Sequence, residues 1–415
     1  MEERWALVCC LGPFSQASSC YQRYLSQMER TQNLVCFRAA TRSAMRTEDD
    51  VRVVASWLLL GALNIGSAVY ASGQASPHDA GARMFTNPLK SSGPDPWVVT
   101  RDGWYYYMNS TSGNLTIWKT RRIENLANAE KRVVWTPPAG EAYSKELWAP
   151  ELHWLDGKWY IYFAADAGHN EDHRIYVIEN ASEDPTKGTW TLKGKVADAM
   201  DKWAIDATVL EPSKATGGKM YILWSGWEGD TNGVQSIYIA QLKNPWTIEG
   251  KRTRISTPQY AWEKVGDLNA TDGRTIQDLP HVDVNEGPEV LEHGDKVFLV
   301  YSGSACWTNY YELGMVTASL RSDLLDAGSW TKAAAPVFRQ NPEGGAFGTG
   351  HNGFFKSPDG KEDWIIYHAN PGPNEGCGNM RSPRAQPFTW KPDGTPEFGR
   401  PVPAGQAIAP PTGER

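Results

Sequence analysis

The sequence carries little charge and has no basic run. Asp, Glu, Lys and Arg make up 21% of its 415 residues, and the formal net charge is −7. A nucleic-acid partner would need a basic patch or stripe, so this composition speaks against that class of protein. Amphipathic helices of any length are also missing, which favours an all-β chain.

Cysteine is scarce outside the first 40 residues. Of six cysteines only Cys306 and Cys377 lie beyond that segment, and no pair or quartet has the spacing of a metal site. In an oxidising compartment the two could form a disulfide. The alternative is a pair of free, buried thiols.

Only one long apolar run is present, at residues 53–71. It ends in Val69-Tyr-Ala71, a small-x-small pattern typical of signal-peptide cleavage, so residues 1–71 are interpreted as a presequence. Because the run begins late, residues 1–44 are interpreted as an over-extended gene model or a segment without a role in the mature protein. The alternative is a single signal-anchor helix. Four Asn-x-Ser/Thr sequons fit a secreted, glycosylated chain, at Asn109, Asn114, Asn180 and Asn269.

Aromatic residues and short hairpins are abundant. The chain has 19 Trp and 17 Tyr. Five times an apolar strand is followed by a Gly-containing turn and a second apolar strand, with the turn glycines at 103, 157, 218, 294 and 360. Asp-Gly and Gly-Gly tolerate the positive φ of a tight turn, so each unit predicts a β-hairpin.

Five repeats of short strands predict a five-bladed β-propeller over residues 84–402, followed by a coil tail over 403–415. In a propeller the first strand of each blade lines the central axis. The polar residues that open those strands should therefore face one cavity, and they are Asp95, Glu151, Asp206, Glu286 and His351.

The motifs around these positions resemble glycoside hydrolase family 43. They are Asn87-Pro88 with Asp95-Pro-Trp-Val, Trp148-Ala-Pro-Glu151, Ala204-Ile-Asp206-Ala-Thr, Asn285-Glu286-Gly-Pro and Gly350-His351-Asn. The resemblance covers residues 84–402 in order. It implies a propeller enzyme that acts on arabinan, arabinoxylan or xylan with inversion.

The resemblance also implies three roles. Asp95 is the expected general base, Glu286 the expected general acid, and Asp206 the carboxylate that raises the pKa of Glu286. Glycoside hydrolysis needs one neutral and one ionised carboxyl group, which this set can supply. Glu289 and Glu292 are the alternatives to Glu286, and Glu151 is expected to be a hydrogen-bonding wall residue.

The remaining site expectations concern the axis and the sugar. His351 is expected at the axis, where the family often holds an ion or water; the chemistry itself requires no cofactor, and Ca²⁺ or another ion is the candidate. Sugar contacts are expected from Trp148, Trp224, Ser225 and Arg384, with packing between blades as the alternative for each Trp.

The resulting hypothesis is a secreted, monomeric, exo-acting α-L-arabinofuranosidase whose partner is plant cell-wall arabinan or arabinoxylan. No membrane association is expected after signal cleavage. Endo-1,5-α-L-arabinanase and β-xylosidase are the alternatives within the family, and a non-catalytic carbohydrate-binding propeller is the alternative outside it. A fructan-cleaving propeller lacks support because its Asn-Asp-Pro-Asn-Gly segment is missing.

Overall fold

The computed structural model describes residues 83–266 and 281–414. The presequence expectations for residues 1–71 and the sequon at Asn269 lie outside these ranges. Within them helices are limited to short 3₁₀ segments, at Ile123–Asn128, Asn170–Asp172, Ala261–Glu263, Ala327–Ser329 and Pro342–Gly344. No helix in this part of the chain is long and apolar enough to span a bilayer. The all-β prediction is confirmed.

Most strands fall into five groups of four consecutive antiparallel strands. The first two groups are β2 (Trp97–Arg101), β3 (Trp104–Met108), β4 (Leu115–Thr120) and β5 (Glu130–Trp135), then β6 (Lys145–Leu155), β7 (Lys158–Asp166), β8 (Arg174–Asn180) and β9 (Thr191–Lys195). The third is β10 (Ala204–Leu210), β11 (Met220–Gly226), β12 (Val234–Asn244) and β13 (Thr247–Ser256).

The fourth group is β14 (Asp283–His293), β15 (Lys296–Gly303), β16 (Glu312–Ser319) and β17 (Thr331–Lys332), and the fifth is β18 (Phe347–Lys356), β19 (Asp363–Asn370), β20 (Ser382–Trp390) and β21 (Pro396–Glu397). A short parallel pairing of β12 with β14 joins the third and fourth groups into one eight-stranded sheet.

The predicted hairpin turns are present. Asp102 and Gly103 adopt φ of 53° and 71°, and Asp156 and Gly157 adopt 48° and 78°. Positive φ at both central residues is the geometry of a two-residue hairpin loop, whose twist matches that of the flanking strands. The Asp-Gly pairs therefore fix the register of β2 with β3 and of β6 with β7.

The two ends of the described chain pair with each other. The strand β1 (Phe85–Thr86) runs antiparallel to β22 (Ala407–Ile408). Further on, the Glu414 carboxylate accepts a hydrogen bond from the Ile123 backbone N–H at 3.0 Å. The strand β22 and the Glu414 carboxylate therefore anchor the segment 403–414, which otherwise has no regular secondary structure.

Two of the sequons are closed to glycosylation in the folded chain. The Asn109 side chain donates to the Ser110 carbonyl, and Asn180 donates to the Lys187 carbonyl. Both residues are at most 5% exposed. Their amides are structural hydrogen-bonding groups, so of the described sequons only the half-buried Asn114 retains partial access.

Candidate active site

A backbone kink recurs in or just before the first strand of each group. The residues with a left-handed φ are Asp95 (55°), Ala149 (42°), Asp206 (56°), Gly287 (54°) and His351 (48°); β6 and β18 each carry a second one, Glu146 (47°) and Gly348 (55°). In the second to fifth groups the kink coincides with a shift in strand register. Left-handed non-Gly residues are costly and concentrate at functional sites. The five kinks therefore mark equivalent positions.

This equivalence corrects the predicted ring of axial residues. Glu151 lies two residues beyond the kink at Ala149, where it pairs across the strands with Tyr162 as Glu289 pairs with Val300. The Glu151 carboxylate contacts the His153 ring at 2.9 Å. Burial and then the nearby Glu289 raise the pKa of Glu151 well above its usual value. Glu151 and Glu289 thus form a second layer along the inner strands, as the wall role assigned to Glu151 requires.

Asp95 is surrounded by cationic and donor groups. Its Oδ1 accepts a hydrogen bond from Arg381 Nη1 at 2.8 Å, and its Oδ2 accepts one from the Ser110 hydroxyl at 2.5 Å. His351 Nδ1 and His368 Nδ1 lie 3.5 and 3.7 Å from Oδ1. Burial alone would raise the pKa of Asp95, but Arg381, the two histidines and Ser110 together hold it well below its usual value. Asp95 is therefore ionised.

Glu286 has the opposite electrostatic environment. It directly precedes the kink at Gly287 and is 9% exposed. Burial raises its pKa to about 7; the Tyr311 hydroxyl and Arg381 act against the rise, and the negative charge of Asp95 adds to it. At neutral pH and below, Glu286 therefore retains a proton that it can donate.

Asp206 lies next to Glu286. Its Oδ2 accepts a hydrogen bond from the Gly287 N–H at 3.0 Å. Burial raises the pKa of Asp206 to about 7; His351 opposes the rise, while Glu286 and Asp95 add to it. The mutual repulsion of Asp206 and Glu286 favours one shared proton between them.

The sugar-contact predictions divide between the site and the core. Trp148 directly precedes the kink at Ala149, is half-buried, and stacks on His173 with ring centroids 3.9 Å apart. Trp224 instead packs in the core between the second and third groups, against Tyr238. Ser225 is fully buried and donates to the Asn285 carbonyl. Trp224 and Ser225 are thus buried packing residues, which leaves them little surface for the predicted sugar contacts.

Arg384, the arginine expected to contact the sugar, is also buried. It is 1% exposed and donates to the Gly345 carbonyl at 2.7 Å. The arginine that orients a site carboxylate is Arg381, three residues earlier. Sequence reasoning also missed Ser110, His368 and Tyr311. Ser110 and Tyr311 belong to no repeated motif; His368 lies in the second strand of the fifth hairpin, where the other repeats offer no polar counterpart that would single it out.

The expectation of an ion at His351 gains no support from its surroundings. Among the described residues no group of three or more His, Cys, Asp or Glu side chains could hold a metal. The His351 ring is 3.5 Å from Asp95 Oδ1, but that oxygen is already paired with Arg381. A hard cation prefers several free oxygen ligands, and these residues do not fit one.

Cys306 and Cys377 form a disulfide, with Cα atoms 5.3 Å apart. The bond joins the segment between β15 and β16 to the segment between β19 and β20. It therefore links the fourth and fifth strand groups next to the site.

An ionised carboxylate and a protonated carboxyl group buried in one site are the pair that glycoside hydrolysis needs. The comparison with protein families agrees. Residues 85–396 match Glycosyl hydrolases family 43, and the chain belongs to that family.

Several relatives cover most of the chain. An extracellular exo-α-(1→5)-L-arabinofuranosidase of Streptomyces avermitilis is 37% identical over 83% of this chain and 69% of its own length. One of Streptomyces chartreusis is 35% identical over 81% and 97%. The crystal structure of an α-L-arabinofuranosidase from Lactobacillus brevis has 37% identity and a TM-score of 0.68, covering 78% of this chain and 98% of that one.

Proposed function

We propose that this glycoside hydrolase is an exo-acting α-L-arabinofuranosidase that releases L-arabinose from arabinan or from arabinoxylan side chains. The observation that carries the proposal is the opposed protonation of Asp95 and Glu286 in one buried site. The choice of arabinose is supported by the two Streptomyces relatives and the Lactobacillus structure, all of which carry arabinofuranosidase names.

The five strand groups are proposed to be the blades of a five-bladed propeller. The repeated kink supports this arrangement, as do the contacts of the first strands β2, β6, β10, β14 and β18, each of which touches the next and the last of which touches β2. In a propeller the inner strands surround the axis, so side chains distant in sequence meet at one mouth.

The proposed mechanism is a single displacement. Asp95, as the carboxylate, takes a proton from a water molecule, and the water oxygen forms a bond to the anomeric carbon. Glu286 donates its proton to the glycosidic oxygen as the bond from that oxygen to the anomeric carbon breaks. Asp206 and the Gly287 N–H hold the segment that carries Glu286. Inversion requires the two carboxyl groups to be roughly 6.5–9.5 Å apart, so that a water fits between.

The enzyme is proposed to act outside the cell. The Streptomyces relatives are named extracellular, and the Cys306–Cys377 disulfide suits an oxidising compartment.

Product analysis on debranched, linear arabinan tests the proposal. The expected result is a steady release of arabinose as the first product, with little early loss of viscosity, and hydrolysis of nitrophenyl α-L-arabinofuranoside but not of the β-xyloside. Early oligosaccharides with a rapid fall in viscosity would favour the endo-arabinanase alternative, to which the Aspergillus aculeatus relative at 24% identity corresponds. Binding without turnover would favour the carbohydrate-binding alternative. Proton NMR of the first anomer released tests inversion.

A further inference from the structure

We infer that Cys306 and Cys377 are positioning residues for the reaction. Their disulfide cross-links two segments, 304–311 and 371–381, here called the bridged rim. Each segment ends on a side chain that acts on one of the two proposed catalytic carboxyl groups, so one covalent bond fixes the surroundings of both. The inference rests on the proposed function.

The first segment connects β15 to β16 and ends at Tyr311, whose ring stacks on His368 beside Asp95 with centroids 5.6 Å apart and whose hydroxyl lowers the pKa of Glu286. The segment is braced internally, because the Thr308 hydroxyl donates to the Ala305 carbonyl and accepts from the Tyr310 N–H. On its other side the Tyr311 ring packs against Gly350, where an added Cβ would lie 2.2 Å from the ring. The position of Tyr311 is therefore set by the segment on one side and by β18 on the other.

The second segment connects β19 to β20 and ends at Arg381, whose Nη1 donates to Asp95 Oδ1 at 2.8 Å. The same guanidinium donates through Nε to the Gly378 carbonyl at 3.2 Å. Gly378 directly follows Cys377. The orientation of Arg381 toward Asp95 thus depends on backbone that the disulfide holds.

Two further hydrogen bonds cross between the segments. Asn309 donates through its side chain to the Asn374 side chain at 3.1 Å, and the Asn374 N–H donates to Asn309 Oδ1 at 2.8 Å. Both contacts are exposed to solvent, where water competes with them. The disulfide is the cross-link with which water does not compete, so the distance between the two segments depends mainly on it.

The bridged rim therefore connects the group beside the acid with the group beside the base. Without the bond, the exposed Asn309–Asn374 hydrogen bonds and the packing of Tyr311 against β18 remain, but Tyr311 and Arg381 are less firmly fixed relative to each other. Small displacements of the groups around the reacting atoms lower the reaction rate far more than they weaken substrate binding. The disulfide should accordingly matter for kcat beyond its effect on folding.

The test is the double variant Cys306→Ser/Cys377→Ser, assayed on nitrophenyl α-L-arabinofuranoside well below its unfolding temperature. We expect kcat to fall about tenfold, with KM changed by less than about twofold. The alkaline limb of kcat/KM should move to higher pH, because Tyr311 and Arg381 both lower the pKa of Glu286 and are no longer fixed. If the variant does not fold, the same assay is made on folded wild-type enzyme before and after dithiothreitol reduces the bond to two thiols and is itself oxidised to its cyclic disulfide.

Phe85→Ala is the matched control, since it weakens the pairing of β1 with β22 and leaves the bridged rim intact. It should lower the unfolding temperature without moving the alkaline limb. The inference is overturned if the double variant or the reduced enzyme keeps the wild-type kcat and pH profile, whatever its stability. A wild-type enzyme that does not cleave the arabinofuranoside would instead refute the proposed function.

Discussion

Asp95 and Glu286 are equally buried, yet neighbouring groups move their pKa values in opposite directions. For Asp95, Arg381 and the two histidines outweigh the cost of burial. For Glu286, burial is only partly opposed, and the charge of Asp95 adds to it. Burial alone would make both groups weak acids. The position of Arg381, the cation that is hydrogen-bonded to Asp95, therefore does most to separate the proposed base from the proposed acid.

Replacing the proposed acid should nearly abolish turnover. Glu286→Gln keeps the shape of the side chain but cannot donate the proton, so kcat on a substrate with a poor leaving group should fall by about 10²- to 10⁴-fold. Glu292→Gln is the control, since Glu292 is exposed at the far end of β14. Equal activity of Glu286→Gln and wild-type enzyme would show that another residue is the acid.

Removing the positive charge of Arg381 should narrow the pH range of activity on its acid side. In Arg381→Met the pKa of Asp95 should rise, because burial raises it and Arg381 is the largest opposing influence. Activity needs the ionised form, so the acid limb of kcat/KM should move to higher pH. Arg381→Lys, which keeps the charge, should restore part of the shift. An acid limb at the wild-type position in Arg381→Met would contradict this assignment.

The stability of the fold should also depend on pH, because Glu286 titrates at a different pH in the folded and unfolded chains. The pKa of Glu286 is raised to about 7 in the folded chain, against roughly 4.3 when unfolded. Below pH 4 both states are protonated and there is no penalty. As pH rises from 4 to 7 the unfolded chain ionises first, so the free energy of unfolding should fall, and it should level off above 7. Urea unfolding at pH 4.5 and 8 measures the fall, which Glu286→Gln should reduce; an equal fall in that variant would assign it to Asp206 or other groups.

At the scale of elements, the hairpins were predictable and the site only in part. Asp-Gly turns act locally, so the turns at residues 103 and 157 followed from the sequence. The polar side chains of Asp95, Asp206 and His351 indicate these positions from the sequence, although not their left-handed backbone. The equivalent position Ala149 carries no polar group, so the sequence pattern indicates Glu151 instead.

A better signal lies one residue after three of the five kinks. Pro follows Asp95, Ala149 and Gly287, and it aligns the repeats where the acidic residues do not. Arg381 could not be found in this way, because its approach to Asp95 depends on a loop and a disulfide between two strand groups. A local sequence pattern does not predict contacts between distant loops.

Two tryptophans illustrate the difference between a site residue and a core residue. Trp224→Ala should lower the free energy of unfolding by about 3–5 kcal/mol, because the residue fills the space between two strand groups, while KM of the folded fraction stays near the wild-type value. Trp148→Ala should raise KM for arabino-oligosaccharides with a smaller loss of stability, since Trp148 is half-buried beside the Ala149 kink. Denaturant unfolding together with steady-state kinetics separates the two. The reverse pattern would return Trp224 to the sugar site.

For the molecule as a whole, the ends of the described chain close the arrangement of strand groups. The Asn87 side chain exchanges two hydrogen bonds with the Ala385 backbone, so the start of the chain is fixed to the fifth group. The strand β22 then pairs with β1, and Glu414 contacts Arg83 and the Ile123 N–H. These contacts tie the last described residues to the first strand group.

Deleting residues 405–415 should therefore destabilise the fold without changing the chemistry. The truncation removes the pairing of β22 with β1, the burial of Ile408 and the anchor at Glu414, so the free energy of unfolding should fall by about 2–4 kcal/mol. Asp95, Glu286 and Arg381 lie on other elements, so kcat measured below the unfolding transition should match that of the wild type.

Glu414→Gln removes only the charge of this side chain and should lower the free energy of unfolding by about 1 kcal/mol. Unfolding by denaturant, followed by tryptophan fluorescence, measures all three proteins. A truncated chain as stable as the full one would mean that the first and fifth groups pack together without the tail, and a lower kcat at equal folded fraction would mean that the closure also shapes the site.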